Sequence, residues 1–253
     1  MSLSGKVGLV TGGAQGIGRA VVESLLNSSV KVAVVDQNQE VGHECQVQLD
    51  AKYGEGNCTF IQCDITDGDK LKDAFQRTVD LYGRLDYVVN NAGINNENDW
   101  EKTIQVNLTS VVKGTYLALD HMSKEHGKSG GVVINVSSMA AFLHSPHQPV
   151  YTATKYGVIG FTRAIAVGKT HTHAHTHTHP PPPPTHTHTH THTHTHTHVV
   201  EVCSCSGINV FRQSSQLVVN RPFLHLCALE TNGWKYQADD REAQLFTQWA
   251  LSH

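Results

Sequence analysis

Tyr151 and Lys155 stand four residues apart in "YTATK", which puts a phenol and an ammonium on one face of a helix, one turn from each other. A phenol ionises near ~10 and is a poor base at neutral pH. A cation one turn away stabilises its phenolate and turns it into a usable general base toward an alcohol. Ser138, at the end of the apolar run "GVVINVSS", carries a hydroxyl that can hydrogen-bond the same alcohol oxygen. Tyr and Lys at this spacing occur by accident in many helices, so the chemistry depends on the elements that hold them.

Those elements alternate. Apolar runs at Lys6–Thr11, Val30–Asp36, Cys58–Asp64, Leu85–Gly93 and Gly131–Ser138 read as buried strands. Helix-length segments lie between them, among them "GIGRAVVESLLNS", Asp67–Tyr82 and Asp99–Lys124. Five strand-helix alternations predict an α/β fold, a doubly wound parallel sheet of the Rossmann type with helices on both faces. Such sheets bind ligands beyond the carboxyl ends of their strands.

The first strand-to-helix turn there is "TGGAQGIG", Thr11–Gly18. Gly12, Gly16 and Gly18 permit a tight turn and a close approach of backbone to a pyrophosphate, and the helix that follows aims its amide groups and positive end at the phosphates. The context of strand, glycine turn and helix makes this a dinucleotide motif rather than a plain loop. Asp36 ends the second strand, 18 residues after Gly18. A carboxylate there accepts hydrogen bonds from both ribose hydroxyls of the adenosine and repels a 2′-phosphate, which predicts NAD rather than NADP. Arg19 is the nearby cation that would argue the other way, but Gln37 follows Asp36 and no basic pair forms. The nicotinamide cation would add to Lys155 in stabilising the Tyr151 phenolate.

Composition narrows the classes. With 19 Lys+Arg against 22 Asp+Glu in 253 residues, the charge of -3 argues against nucleic acid as a partner. No apolar run approaches the roughly 18 residues of a membrane span, and "MSLSGKVGLV" lacks the apolar core of a secretory signal. The six cysteines (Cys45, Cys58, Cys63, Cys203, Cys205, Cys227) form no Cys-x-x-Cys pair, which predicts buried thiols in a reduced, cytoplasmic protein and no metal site in the enzyme part.

"TGGAQGIG", "NNAG" at Asn90–Gly93, "VN" ending at Asn107, "NVSS" and "YTATK" together resemble the classical short-chain dehydrogenase/reductase family, in order and spacing, over about residues 4–167. The resemblance implies a catalytic tetrad of Asn107, Ser138, Tyr151 and Lys155, the Asn holding a water that links the Lys to solvent. It implies a cofactor site at Gly12, Gln15, Gly16, Ile17, Gly18, Asp36, Gln37, Cys63, Asp64, Ile65, Asn91, Tyr151 and Lys155, with Asp64 and its neighbours at the adenine. The longer strings "FIQCDITD", "INNENDWEKTIQVNL", "YLALDHMSKEHG" and "QPVYTATKYGVIGFTR" resemble a branch of that family that oxidises a lipid alcohol, the 15-hydroxyl of prostaglandins, to a ketone. That implies a small-molecule lipid substrate held at Ser138, Gln148 and Tyr151. It also implies a homodimer through the helices near Asp99–Lys124 and Pro149–Val167.

The resemblance stops at Val167. The family continues with a sixth strand, a Pro-Gly loop against the nicotinamide, a lid and a seventh strand. Residues 168–198 instead hold alternating Thr and His and five consecutive prolines, with 12 histidines from 170 onward. Ala174 is the one apolar residue from Lys169 to His198, so this tract cannot join a core. A repeated AC dinucleotide encodes Thr-His, repeated C encodes Pro, and GGTAAG, the form of an intron start, encodes Gly168-Lys169. Read-through of an intron, a solvated linker and a metal-binding module are the three readings. Residues 199–253 show one short strand, "QLVVN", and one weak helix, Asp239–Leu251. The chain therefore reads as residues 1–167, a dehydrogenase domain whose sheet ends after the fifth strand; 168–198, a low-complexity tract; and 199–253, a tail that is not a domain. Impaired activity is the expectation, with a catalytically dead dinucleotide-binding protein and a His-rich metal-binding protein as the alternatives.

Overall fold

The computed structural model describes residues 3–142 and 145–168, and the backbone of residues 198–205, 208–213 and 216–219. Five parallel strands form its centre: β1 (Val7–Thr11), β2 (Lys31–Asp36), β3 (Cys58–Gln62), β4 (Tyr87–Asn90) and β5 (Val132–Ser138). Their spatial order is β3-β2-β1-β4-β5, so the direction of winding reverses beside β1. The strands are Val-rich and buried on both faces, as a sheet sandwiched by helices requires.

Two apolar layers flank the sheet. Helices α1 (Gly16–Asn27) and α2 (Gln39–Tyr53) bury Val21, Val22, Leu25, Cys45 and Leu49 against one face. On the other, α3 (Gly68–Tyr82) and α5 (Ser110–Met122) flank the sheet, with Leu71, Phe75, Ala118 and Met122 in the buried layer, and the short α4 (Trp100–Ile104) leads into α5. The helix α6 (Pro149–Gly168) follows β5. The α3 boundaries match the sequence: Asp67 accepts from the amides of Asp69 and Lys70 as N-cap, and Gly83 takes the left-handed conformation that ends the helix. The segment expected as one helix over Asp99–Lys124 is α4, a π-turn at Gln105–Thr109, and α5. In α2 only Gly42, Cys45 and Leu49 are buried, a stripe too thin to single out from sequence.

The five parallel strands are those read from the sequence. Past β5 the ladder continues: β6 (His198–Cys205) pairs parallel with β5, and β7 (Ile208–Gln213) and β8 (Gln216–Val219) follow antiparallel. Only β8 corresponds to the strand read at "QLVVN". The edge of β5 expected to stand open is paired with β6, whose Val199, Val200 and Val202 are strand-forming residues hidden behind the His tract. The Thr-His and Pro run from Thr170 to Thr197, the helix expected at Asp239–Leu251 and Cys227 lie outside the described residues. No helix among the described residues is long and apolar enough to cross a membrane, and none of their His, Cys, Asp and Glu gather into a metal cluster.

Candidate active site

The carboxyl ends of β1, β2, β3 and β4 surround a cavity of about 440 Å³. Its floor is the glycine turn. Gly12 has φ +62°, and a Cβ added there would lie 2.9 Å from the Ala92 Cα; a Cβ on Gly18 would lie 2.1 Å from the Gly12 carbonyl oxygen. Only glycine lets the turn and the helix approach this closely. Gln15 opens α1 without a side-chain cap, so the first amides of the helix remain available to an anion. The Asn91 side chain donates to the carbonyls of Thr11 (3.0 Å) and Gly12 (3.2 Å), and Thr11 Oγ1 accepts from the amides of Asn91 and Ala92. Asn91 thus braces the turn as well as lining the cavity.

At one end stands Asp36, 9% exposed. Its carboxylate accepts from the Ala14 amide (3.3 Å) and the Asn38 amide (3.1 Å). Each oxygen keeps a lone pair toward the cavity that Asp36 and Gln37 line. Arg19 is turned away: its Nε donates to Glu23 at 2.9 Å, and its guanidinium reaches the Cys45 carbonyl and Gln48. Cys63, Asp64 and Ile65 form the next wall. The Thr66 amide and hydroxyl hold the Asp64 carboxyl below its ordinary value, while burial pushes the Cys63 thiol up to about 11, which leaves it a packing group.

At the other end lie Tyr151 and Lys155, both in the cavity wall. Lys155 is 4% exposed; its Nζ donates to the Val136 carbonyl (3.1 Å) and sits 5.6 Å from the centre of the Tyr151 ring. Ser137, unread as a site residue, donates its hydroxyl to the Lys155 carbonyl (2.8 Å) and fixes α6 to β5. Ser138, also buried, accepts from the Ala140 amide (3.2 Å), and its own proton remains to donate.

Asn107 lies within the π-turn that interrupts α4 and α5. It exchanges two hydrogen bonds with the Ile94 backbone (2.7 and 2.8 Å) and donates to Thr154 Oγ1 (3.3 Å). A Cβ built on Gly93 would lie 3.3 Å from Asn107 Oδ1 and 3.5 Å from Lys155 Nζ, so these two groups converge on one spot.

Of the residues named from sequence, Gly12, Gln15, Ile17, Gly18, Asp36, Gln37, Cys63, Asp64, Ile65, Asn91, Tyr151 and Lys155 line this single cavity. Gly16, with φ +57°, shapes the turn beneath it. Asn107, Ser138 and Gln148 are placed beside it, Gln148 through a hydrogen bond from Asn95, which is a wall residue. Asn95 and Lys102 are wall residues that sequence reasoning missed, because nothing in the sequence marks where the loop after β4 folds. The glycine floor, the uncapped α1 and the two-oxygen face of Asp36 fit the pyrophosphate and ribose of a dinucleotide.

The short chain dehydrogenase family model matches residues 6–209. The chain is 54% identical over 167 residues to the 15-hydroxyprostaglandin dehydrogenases (NAD+) of Macaca fascicularis and Homo sapiens, which covers 66% of this chain and 63% of each relative. The chain therefore spans less than two thirds of the length of those relatives. A crystal structure of a short chain dehydrogenase from Mycobacterium smegmatis superposes with TM-score 0.61 at 32% identity, covering 66% of this chain and 72% of that one. A short chain dehydrogenase/reductase from Burkholderia phymatum in complex with NAD shares the fold, with TM-score 0.62 at 22% identity over 66% of this chain and 61% of that one.

Proposed function

The chain belongs to the short-chain dehydrogenase family, and from that premise we propose that it is an NAD-dependent oxidoreductase acting on a secondary alcohol of a lipid, a 15-hydroxyprostaglandin being the substrate in view. The observation that carries the proposal is the one cavity with Asp36 at one end and Tyr151 with Lys155 at the other. NAD, when bound, would supply the hydride acceptor for the carbinol carbon.

The chain's own residues do the rest. The α1 amides receive the pyrophosphate and Asp36 the ribose hydroxyls. Ser138 donates to the substrate oxygen, and Gln148 helps to orient it. Tyr151, with the buried Lys155 Nζ 5.6 Å from its ring centre, takes the hydroxyl proton while the C–H bond breaks and the C=O bond forms. The products are the ketone, NADH and a proton.

A homodimer through α5 and α6 belongs to the same reading. Tyr116 on α5 is 55% exposed and packs edge-on against Phe161 of α6, which leaves aromatic surface at the helix pair. Cytoplasmic residence fits the free, buried Cys45, Cys58 and Cys63. We further propose that the Thr-His tract and the tail lower turnover below that of the relatives.

The test is NADH formation by the 253-residue chain with a 15-hydroxyprostaglandin and NAD, beside NAD binding measured calorimetrically. Turnover to the 15-keto product supports the proposal. NAD binding without turnover of any secondary alcohol overturns it in favour of a dinucleotide-binding protein.

A further inference from the structure

A helix leaves its first amides without partners in the helix, and a side chain, water or a ligand supplies them. In α6 the first position is Pro149, which has no N–H, so the Val150 and Tyr151 amides are the first donors of the helix. The residue before Pro149 does not cap them: the Gln148 side chain is engaged by Asn95. Both amides go instead to one carboxylate from a distant loop. Glu97 Oε2 accepts from Val150 at 3.1 Å and Oε1 from Tyr151 at 2.9 Å. A two-oxygen grip fixes the rotation of the helical turn as well as its position, and that turn carries the phenol.

The loop that presents Glu97 is itself built as a rigid unit. Asn96 accepts from the Asn98 and Asp99 amides (3.1 and 3.3 Å), and Thr103 Oγ1 donates to the Asn96 carbonyl (2.7 Å). Asn107 grips Ile94 through two hydrogen bonds and reaches Thr154, one turn further along α6. α6 is therefore held at two heights, at residues 150–151 by Glu97 and at Thr154 by Asn107, which also ties down the loop at Ile94.

We propose that Glu97 is a positioning residue for Tyr151. Its carboxylate pins the first turn of α6 so that the phenol oxygen meets the substrate hydroxyl without a search. This rests on the dehydrogenase reading above. A misplacement of ~1 Å at a reacting group can cost about 100-fold in rate, which is the scale of effect available to such a pin.

The experiment uses the 253-residue chain, unmutated and as Glu97→Ala and Glu97→Gln. Three quantities are read: steady-state NADH formation, thermal melting, and hydrogen exchange at the Val150 and Tyr151 amides. Glu97→Ala is expected to lower kcat about tenfold or more with KM for NAD little changed, and to speed exchange at those two amides roughly tenfold, the scale of a lost helix cap. Glu97→Gln keeps a carbonyl acceptor and recovers part of both.

An unchanged kcat in Glu97→Ala overturns the inference. So does a loss of rate that equals the loss of folded protein on melting and is not relieved in Glu97→Gln, since that is a purely structural role. If the unmutated chain forms no NADH, the dehydrogenase reading fails. The exchange rates then decide alone: unchanged protection overturns the pin, and faster exchange upholds it.

Discussion

The two ends of the sheet use the same residue types in opposite ways. At the amino end of β4, Asp86 is 3% exposed and accepts from Lys6 Nζ (2.9 Å), Arg84 Nε (2.7 Å), Arg84 Nη2 (2.6 Å) and the Val7 amide (3.0 Å). The whole hydrogen-bonding capacity of that carboxylate is used within the protein. At the carboxyl ends, Asp36 is similarly buried but accepts only two backbone amides and faces a cavity. Burial of a charge does not distinguish a site from a brace. Hydrogen-bonding capacity left over beside a cavity does. The glycine turn and the uncapped α1 at the carboxyl end follow the same rule, whereas α3, away from the cavity, is fully capped.

If the difference between the ends is functional, the largest effect belongs at the carboxyl end and leaves the fold alone. Tyr151→Phe removes one oxygen from a half-buried ring. NADH formation is expected to fall ~100-fold to ~10,000-fold, with NAD binding and the melting temperature nearly unchanged. Near-normal turnover in this variant, measured under saturating NAD, removes Tyr151 from the mechanism.

At the amino end the expected effect is on stability. Burial alone would raise the Asp86 carboxyl, but Arg84, Lys6 and the Val7 amide outweigh it and hold it below the ordinary value of 3.8. A depressed folded pKa contributes stability that is present above the unfolded value and drains away as pH falls through the folded one. Asp86→Ala is therefore expected to cost about 1–3 kcal/mol at neutral pH. That is less than a sealed ion pair would cost, because Lys6 and Arg84 are 36% and 43% exposed and rehydrate. Its melting temperature should also depend less on pH below about pH 4. Identical acid limbs in mutant and parent, followed by calorimetry, would sink the assignment.

How much of this was legible in the sequence follows from the same contrast. Short Val-rich strands, the glycine turn, Asp36 and the Tyr-Lys spacing are local patterns, so β1–β5 and the two ends of the cavity could be read directly, while Gln15, Ile17, Gln37, Cys63, Asp64, Ile65 and Asn91 came from the resemblance to the family. Asn95, Glu97, Lys102 and Thr154 could not. Their roles come from the loop after β4 folding back on α6, a contact across more than fifty residues for Glu97 that no periodicity encodes. The π-turn at Asn107 was hidden for a related reason: its mark in the sequence is a single five-residue step between the buried Val106 and Val111, too short a signal to separate from an ordinary helix. The strands β6 and β7 lie behind a tract with no core-forming residues, and their valines carry too short a signal to stand out from it.

The smallest effect sharpens the comparison most, because it tests the leftover capacity itself. Asp36→Ala removes the two acceptors offered to a ribose and the charge that would oppose a 2′-phosphate. Arg19 does not compensate in either direction, since Glu23 and the α2 residues hold it away from the cavity. NAD affinity should fall and NADP affinity rise, so that the ratio between them narrows by about tenfold, or ~1.4 kcal/mol. Some of the loss will come from the Ala14 and Asn38 amides that the carboxylate also holds. Asp36→Asn separates the two contributions: it retains an acceptor for one amide and loses the charge. If Asp36→Asn narrows the ratio as far as Asp36→Ala, charge is the discriminating property. If it binds both dinucleotides as the unmutated chain does, Asp36 is a brace like Asp86, and the distinction between the two ends of the sheet fails at its central residue.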